Sequence, residues 1–261
     1  MFSNKSVIGV VGSGAMGSGI AQVAATNNYK TIVFDTNSEA IEKAKKNLVS
    51  SLQKLVEKQK ISSDKSQEIL NNIEFNNSIS SLKDCDLIIE AIIENLAIKK
   101  TVFKDLEAIV SQKCVLASNT SSLSITSIAA ACAIPERVIG IHFFNPATLM
   151  PLVEIIPGIA TDIEIANNCK SLIDSWGKTT VMAKDTPGFI VNRVARPFYS
   201  EALRIYEEQI ADIPTIDWAM KEFGGFKMGP FELMDLIGHD INYVVTKTIW
   251  TQFYYNPRFK P

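Results

Sequence analysis

A histidine and a glutamate inside apolar segments are the side chains of this sequence best suited to move a proton. His142 lies in the segment Val138–Phe143, and Glu154 lies in the segment Leu152–Ile156. If both segments are strands that fold back on each other, the two side chains lie roughly opposite. Burying them apart is costly, and burying them as a hydrogen-bonded pair is much less so. The pair is then either a structural contact, or an acid–base pair in which the carboxylate orients the imidazole.

A glycine motif near the start of the chain indicates a dinucleotide site. Gly12-Ser13-Gly14-Ala15-Met16-Gly17 follows an apolar run and opens a helical pattern. In this G-x-G-x-x-G spacing the first glycine permits a tight turn and the second lets the backbone approach a pyrophosphate. The third lets the helix pack closely on the strand. The pyrophosphate would bind the first N–H groups of the helix, those of Ala15 and Met16 included.

An acidic residue completes the motif about twenty residues further on, at the spacing expected for a ribose contact. Asp35 ends the β-branched run Thr31–Phe34 and can accept hydrogen bonds from the adenosine ribose. Thr36 follows it, and no Arg or Lys stands beside it to hold a 2′-phosphate. The sequence therefore predicts NAD as the cofactor, in preference to NADP.

The composition argues against several classes of partner and against a metal site. The chain has 261 residues and a formal net charge of −2, which gives no reason to expect a nucleic-acid or membrane partner. Two histidines exclude a multi-histidine metal site, so no metal is expected. The four cysteines are scattered without a C-x-x-C pair, as in reduced cytoplasmic proteins. We expect a soluble, unprocessed, cytoplasmic protein.

Strands and helices alternate along the first two thirds of the chain, which predicts an α/β fold with a doubly wound, Rossmann-type, mostly parallel sheet. Glu94, Ser121 and His142 all fall at carboxyl ends of predicted strands, where ligands gather in such sheets. A helical arm is predicted over about 38–72, with Ser38 as the N-cap of its first helix. Its lysines form either a basic ledge for an anionic substrate or an ordinary solvated helix face: Lys43, Lys45, Lys46, Lys54, Lys58 and Lys60.

A Pro-Gly break after Asp185 predicts a domain boundary. The first domain would span 1–185. The second, 186–261, is predicted to be smaller and wholly helical. Its apolar and aromatic content favours a homodimer formed through this domain.

A set of motifs in fixed order covers essentially the whole chain. They are the glycine motif with Gly19-Ile20-Ala21, then Glu90-Ala91 with Glu94-Asn95, Ser118-Asn119-Thr120-Ser121-Ser122, His142-Phe143-Phe144-Asn145-Pro146, Pro187-Gly188-Phe189 with Asn192-Arg193, and Met228-Gly229-Pro230-Phe231-Glu232-Leu233. Together they resemble the L-3-hydroxyacyl-CoA dehydrogenase family, which includes bacterial 3-hydroxybutyryl-CoA dehydrogenases.

The resemblance implies roles for these residues. His142 would be the general base that takes the 3-hydroxyl proton while hydride passes to NAD, and Glu154 would orient its ring. Ser121 and Asn192 would surround the substrate oxygen and the histidine. The remaining implied contacts are with the cofactor (Gly12, Gly14, Ala15, Met16, Gly17, Asp35, Glu94, Lys99, Ser121 and Asn145) and with the acyl-CoA substrate (Ser51, Lys58, Ser121 and Asn192).

The sequence departs from the family at its end, because the family continues beyond a stretch like Asn256–Pro261. We therefore expect the helical domain to be truncated at its C-terminus. Two other functions stay open. One is a non-catalytic member of the fold that binds NAD or has a structural role. The other is a dehydrogenase of a small hydroxy acid that acts without coenzyme A.

Overall fold

A computed structural model of the protein describes residues 2–261. The chain forms two compact units, the first ending at Asp185 and the second spanning Thr186–Pro261. Each unit has its own cluster of buried apolar side chains.

The first unit is built on an eight-stranded sheet in the order β3-β2-β1-β4-β5-β6-β7-β8. Its strands are β1 Ile8–Val11, β2 Thr31–Phe34, β3 Ile73–Asn76, β4 Leu87–Glu90, β5 Val115–Ser118, β6 Val138–Phe143, β7 Leu152–Pro157 and β8 Thr179–Met182. All neighbouring pairs are parallel except β6 and β7, which are antiparallel. The first six strands follow the order of Rossmann sheets. The predicted α/β fold with a mostly parallel sheet is confirmed.

Helices cover this sheet and explain the composition of its strands. They are α1 Ala15–Thr26, α2 Ser38–Glu57, α3 Ser63–Asn71, α4 Leu96–Ile109, α5 Ile125–Ala129 and α6 Ile163–Ser175. Every residue of β1, β2, β4 and β5 is buried. Strands covered on both faces need continuous apolar runs instead of an alternating pattern, and these four have them.

The arm α2–α3 forms because α2 carries an apolar stripe at helical spacing. Ile41, Ala44, Leu48 and Leu52 are buried, and the last two join a small core with Ala25 and Ile69. The N-cap of α2 is Asn37, whose side chain accepts the N–H groups of Glu39 and Ala40. The prediction that Ser38 caps this helix was therefore wrong by one residue.

The edge strand β3 was not predicted. It pairs only with β2, as the last strand on that side of the sheet, and its residues are half-buried or exposed. A four-residue strand without a buried apolar run has almost no sequence signal. It extends the sheet next to the arm without contributing a site residue.

The second unit is wholly helical, as predicted. It contains α7 Val191–Glu207, α8 Ile213–Glu222, α9 Pro230–Ile237 and α10 His239–Gln252. Tyr199, Ile216, Phe231 and Met234 lie in its core. The buried carboxylate of Asp217 accepts the N–H groups of Phe231 and Glu232, which satisfies donors at the start of α9.

Candidate active site

The glycine turn between β1 and α1 leaves no room for side chains at two of its three glycines. Gly12 has φ +102°, and a Cβ atom there would lie 2.7 Å from the Ala91 carbonyl oxygen. A Cβ atom at Gly17 would overlap the Gly12 carbonyl oxygen. At Gly14, by contrast, a Cβ atom would meet nothing within 4 Å. The turn therefore packs tightly against the protein and is open at Gly14, where the motif needs a ligand to approach.

The start of α1 is suited to an anion. Gly14 is its N-cap and offers no side-chain hydrogen bond, and its first turn holds no acidic residue. The first N–H groups of a helix, here those of Ala15 and Met16, have no partner within the helix itself. These donors and the helix dipole favour a bound phosphate group. The residues present thus fit the pyrophosphate of a dinucleotide.

Asp35 is fixed to the glycine turn. One of its carboxylate oxygens accepts the Ser13 N–H and the Ser13 hydroxyl, both at 2.8 Å, and the other accepts the Asn37 N–H at 3.0 Å. Burial raises the pKa of this carboxyl, but the hydrogen bonds from Asn37 and Ser13 outweigh burial and hold the pKa below its usual value. An ionised acceptor beside the turn is the group that a ribose diol needs.

We expect Asp35→Ala to weaken NAD binding by about 10- to 100-fold, since hydrogen bonds to a charged group are worth about 1.5–3 kcal/mol. Titration calorimetry with NAD would measure the change in Kd. Ser13→Ala is the matched control, because it removes one hydrogen bond to the same carboxylate and keeps the acceptor. Equal losses in the two variants would show that Asp35 acts by holding the turn and would contradict a ribose contact.

His142 and Glu154 form a buried pair on adjacent antiparallel strands. They are register partners in the β6–β7 ladder, and His142 Nδ1 lies 2.7 Å from Glu154 Oε2. Glu154 is fully buried and His142 is 5% exposed. An ionised carboxylate only accepts hydrogen bonds, so with Glu154 in that form the Nδ1–H group is the donor in this contact. In that tautomer Nε2 keeps a lone pair, which is the state that a general base requires.

The position of His142 follows from the different lengths of β5 and β6. The parallel β5–β6 pairing ends with Ser118 opposite Gly140, so His142 extends two residues beyond that end. Asn119, directly after β5, accepts the Phe143 N–H through its side-chain oxygen at 2.8 Å. This contact holds the loop after β5 beside the histidine. The sequence analysis placed Asn119 in a motif but gave it no role.

Glu94 organises the loop after β5. Its Oε1 atom accepts the Thr120 hydroxyl at 2.6 Å, the Ser122 hydroxyl at 2.9 Å, and the N–H groups of Ser121 and Ser122 at 3.0 Å. Burial raises the pKa of Glu94, while the nearby Lys99 charge and these hydrogen bonds outweigh it and lower the pKa below its usual value. Glu94 and Ser121, two of the predicted site residues, are thus hydrogen-bonded to each other.

Lys99 lies beneath this network. It is 1% exposed, and its Nζ atom lies 2.5 Å from Glu90 Oε1 and 3.5 Å from Glu94 Oε2. The Glu90 carboxylate also accepts the Ile92 N–H and the Ser118 hydroxyl. Sequence reasoning assigned Lys99 to the cofactor and assigned no role to Glu90. In the structure Lys99 contacts the two carboxylates that hold the ends of β4 and β5.

A groove of about 580 Å³ brings four predicted ligand-binding residues together. Gly14 and Ala15 line it from the glycine turn, Ser51 from α2, and Asn145 from the loop after β6. Lys43, one of the arm's lysines, lines it as well. Lys58 lies at the C-cap of α2, outside the groove lining.

Asn192, the remaining predicted catalytic residue, belongs to the first turn of α7 in the second unit. Its side-chain oxygen accepts a hydrogen bond from Arg196 Nη2 at 3.4 Å.

Within residues 2–261, no helix combines the length and apolar character required to span a bilayer. The same residues contain no cluster of three or more His, Cys, Asp or Glu side chains arranged to hold a metal ion.

Comparison with known proteins agrees with this geometry. Residues 7–186 match the family model described as 3-hydroxyacyl-CoA dehydrogenase, NAD binding domain, and residues 188–261 match the C-terminal domain of the same family. The 3-hydroxyadipyl-CoA dehydrogenase of Escherichia coli is 44% identical over 261 residues, which is 100% of this chain and 55% of that protein. This chain thus spans about half the length of that relative.

Two further relatives match over most of their own length. The 3-hydroxybutyryl-CoA dehydrogenase of Clostridioides difficile is 41% identical, over 94% of this chain and 88% of that protein. The crystal structure of (S)-3-hydroxybutyryl-CoA dehydrogenase from Ralstonia eutropha superposes on this chain with a TM-score of 0.95, over 98% of this chain and 90% of that chain, and the two sequences are 36% identical. The chain belongs to the 3-hydroxyacyl-CoA dehydrogenase family of NAD-dependent oxidoreductases.

Proposed function

We propose that the protein interconverts (S)-3-hydroxyacyl-CoA and 3-ketoacyl-CoA, with His142 and Glu154 as its acid–base pair. The observation that carries this proposal is the 2.7 Å contact between His142 Nδ1 and Glu154, buried at the end of β6. Family membership supports NAD as the oxidant, and the open glycine turn with Asp35 suits that cofactor.

The proposed chemistry divides between cofactor and protein. Bound NAD supplies the acceptor for the hydride that leaves C3 of the substrate. His142 Nε2 takes the proton of the 3-hydroxyl group, and Glu154 stabilises the imidazolium that results. In the reverse direction the same nitrogen returns the proton to the keto oxygen. A buried carboxylate suits this role because it favours the charged ring without competing for the substrate proton.

Other residues would bind the substrate or position the cofactor. Ser121, held by Glu94, and Asn192 are proposed to contact the substrate oxygen and the histidine. Glu94, Lys99 and Asn145 are proposed to shape the ribose and nicotinamide site, Lys99 through its contact with Glu94.

The arm is proposed to bind the coenzyme A moiety. Ser51 lines the 580 Å³ groove, and the exposed Lys58 follows seven residues later at the C-cap of α2, which places both on the same side of the helix. The phosphates of coenzyme A are anionic, so this basic arm suits them.

The test compares substrates with and without coenzyme A. We expect NADH oxidation, followed by absorbance, with acetoacetyl-CoA and little with free acetoacetate. Lys58→Glu should raise KM for acetoacetyl-CoA severalfold with kcat nearly unchanged, because it places a negative charge beside the phosphates. Lys104→Glu makes the same charge change at an exposed position of α4, outside the arm and outside the groove lining, and is the control. Equal rates with free acetoacetate would contradict a coenzyme A substrate.

We also propose that the protein works as a cytoplasmic homodimer joined through its helical unit. Large apolar side chains are exposed there, with Phe223 80% and Trp218 53% accessible.

The cysteines support the cytoplasmic location. Burial raises the pKa of the Cys85, Cys114 and Cys169 thiols to about 12, which keeps them protonated and inert. Buried free thiols are typical of proteins that work in a reducing compartment.

A further inference from the structure

Lys178 is a half-buried lysine of the first unit, and its ammonium group binds the backbone of a different segment. It lies in the turn between α6 and β8. Its Nζ atom donates to the Ala147 carbonyl oxygen at 2.6 Å and to the Met150 carbonyl oxygen at 2.9 Å. Within residues 2–261, Lys178 forms no ion pair with a carboxylate. Two backbone carbonyls therefore take the place of a counter-charge.

The charge of Lys178 makes these two contacts stronger than ordinary hydrogen bonds. Burial lowers the pKa of the ammonium group, because removal from water disfavours its charged form. Hydrogen bonds with a charged donor are roughly twice as strong as neutral ones. The two carbonyls thus compensate for the lost hydration, and removing the ammonium group would release both of them at once.

The two carbonyls belong to the loop 144–151, which joins β6 to β7. Ala147 is 2% exposed, and a Cβ atom at Gly19 would lie 3.2 Å from its side chain, so α1 packs directly against the loop at this point. In the part of the chain that the structure describes, the bonds from Lys178 are the hydrogen bonds that join residues 145–150 to another segment. Lys178 is therefore the polar anchor of the loop.

The anchored loop forms part of the 580 Å³ groove. Residues 145–148 line the groove from the loop, and Gly14 and Ser51 line it from the glycine turn and from α2. Lys178 does not line it, so it would act on a bound ligand through the loop. The contact between His142 and Glu154 is made within the β6–β7 ladder and does not involve Lys178. A displaced loop would thus change the groove and leave the histidine–glutamate pair in place.

We propose that Lys178 is a positioning residue, which holds the loop 144–151 against α1 so that the groove keeps the shape that its ligands need. Those ligands are NAD, through the proposed contact of Asn145, and the acyl-CoA substrate, so this inference rests on the proposed function. The opposing interpretation is a contact that serves stability alone. In that case its loss would lower the free energy of unfolding and leave ligand binding unchanged.

Three substitutions of Lys178 and one control separate the two interpretations. Lys178→Met keeps the length of the stem and removes the charge and both hydrogen bonds. Lys178→Gln keeps a neutral donor and carries the test if Lys178→Met does not fold, whereas Lys178→Arg keeps both the charge and the donors. Lys170→Met is the matched control, because Lys170 is also half-buried but donates to Asp174 of its own helix, at 2.7 Å.

The measurements are the Kd for NADH, from its fluorescence, and the steady-state constants with acetoacetyl-CoA. In Lys178→Met we expect this Kd and the KM for acetoacetyl-CoA each to rise by about 3- to 10-fold, the net contribution of such hydrogen bonds. The kcat should stay within about twofold, because the interaction lost is one that ground state and transition state share. Lys178→Gln should give a smaller rise, and Lys178→Arg should restore both constants to within about twofold of the unmodified protein.

Hydrogen–deuterium exchange, followed by mass spectrometry, reports on the loop itself. The N–H groups of Leu149 and Met150 donate to the Pro146 carbonyl oxygen inside the loop. They should exchange faster in Lys178→Met than in Lys178→Arg or in the Lys170→Met control, because the anchor of their turn has been removed.

Unchanged Kd and KM in Lys178→Met, or in Lys178→Gln where the first variant does not fold, would overturn the proposal. An equal rise in Lys170→Met would overturn it too, and so would a fall in kcat without a change in binding. Failure of the proposed function would instead show as no NADH oxidation with acetoacetyl-CoA in the unmodified protein. The affinity for NADH and the exchange of the loop would then still decide the role of Lys178.

Discussion

Replacing His142 by alanine should lower kcat with acetoacetyl-CoA by about 10²–10⁴-fold, the usual contribution of a positioned acid–base group. The substitution removes the nitrogen that exchanges the substrate proton and leaves the glycine turn and Asp35 unchanged. The Kd for NADH, measured by its fluorescence, should therefore stay within about twofold of the value for the unmodified protein. Stopped-flow absorbance of NADH would give the rate under single-turnover conditions.

Glu154→Gln separates the acid–base role from simple packing. The glutamine has nearly the same shape but no negative charge, so it no longer stabilises a protonated ring beside it. We expect a loss of kcat smaller than that of His142→Ala, because the ring is kept and only the charge that stabilises its protonated form is removed.

Normal turnover in the His142→Ala variant would remove His142 from the mechanism. If that variant lost only NADH affinity, His142 would have a cofactor-binding role instead.

Lys99→Met should destabilise the protein by about 3–5 kcal/mol, the usual result of removing one partner of a buried ion pair. The methionine fills much of the space of the lysine stem but leaves the fully buried Glu90 carboxylate without its cation. Urea denaturation followed by circular dichroism would measure the change in the free energy of unfolding.

Lys104→Met provides the matched control on the same helix, since Lys104 is exposed and forms no ion pair with any residue from 2 to 261. It should change the free energy of unfolding by no more than about 0.5 kcal/mol, as exposed substitutions usually do. A Lys99→Met variant as stable as this control would contradict a stabilising contact between Lys99 and Glu90. The double variant Lys99→Met, Glu90→Gln should recover part of the lost stability, because it removes the uncompensated charge.

The features predicted from sequence are those with a strong local signal. The glycine motif lies directly between its strand and helix, so its fold could be inferred from adjacent residues. His142 and Glu154 lie within two apolar runs of similar length, and a simple reversal between those runs places them opposite each other.

The features that escaped prediction depend on contacts between distant or weakly marked residues. Arg196 meets Asn242 across 46 residues, and neither one has an unusual neighbour in the sequence. Lys99 was assigned to the cofactor because a family position suggested it, whereas only the tertiary structure shows its contact with Glu90. The N-cap of α2 was misplaced by one residue because Asn37 and Ser38 are both good capping residues, and sequence alone does not separate them.

The reversed direction of β7 places His142 and Glu154, the proposed acid–base pair, on neighbouring strands joined by a short loop. Side chains alternate between the two faces of a strand, so a one-residue slip of β7 would turn Glu154 away and present Val153 or Ile155 to the imidazole. We expect an insertion in the loop between residues 144 and 151 to leave the β6–β7 pairing intact. If the proposed acid–base pair is correct, an insertion within β7 before Glu154 should abolish activity without changing NAD affinity. In this hairpin the number of residues in β7, and not only their types, determines which side chain faces His142.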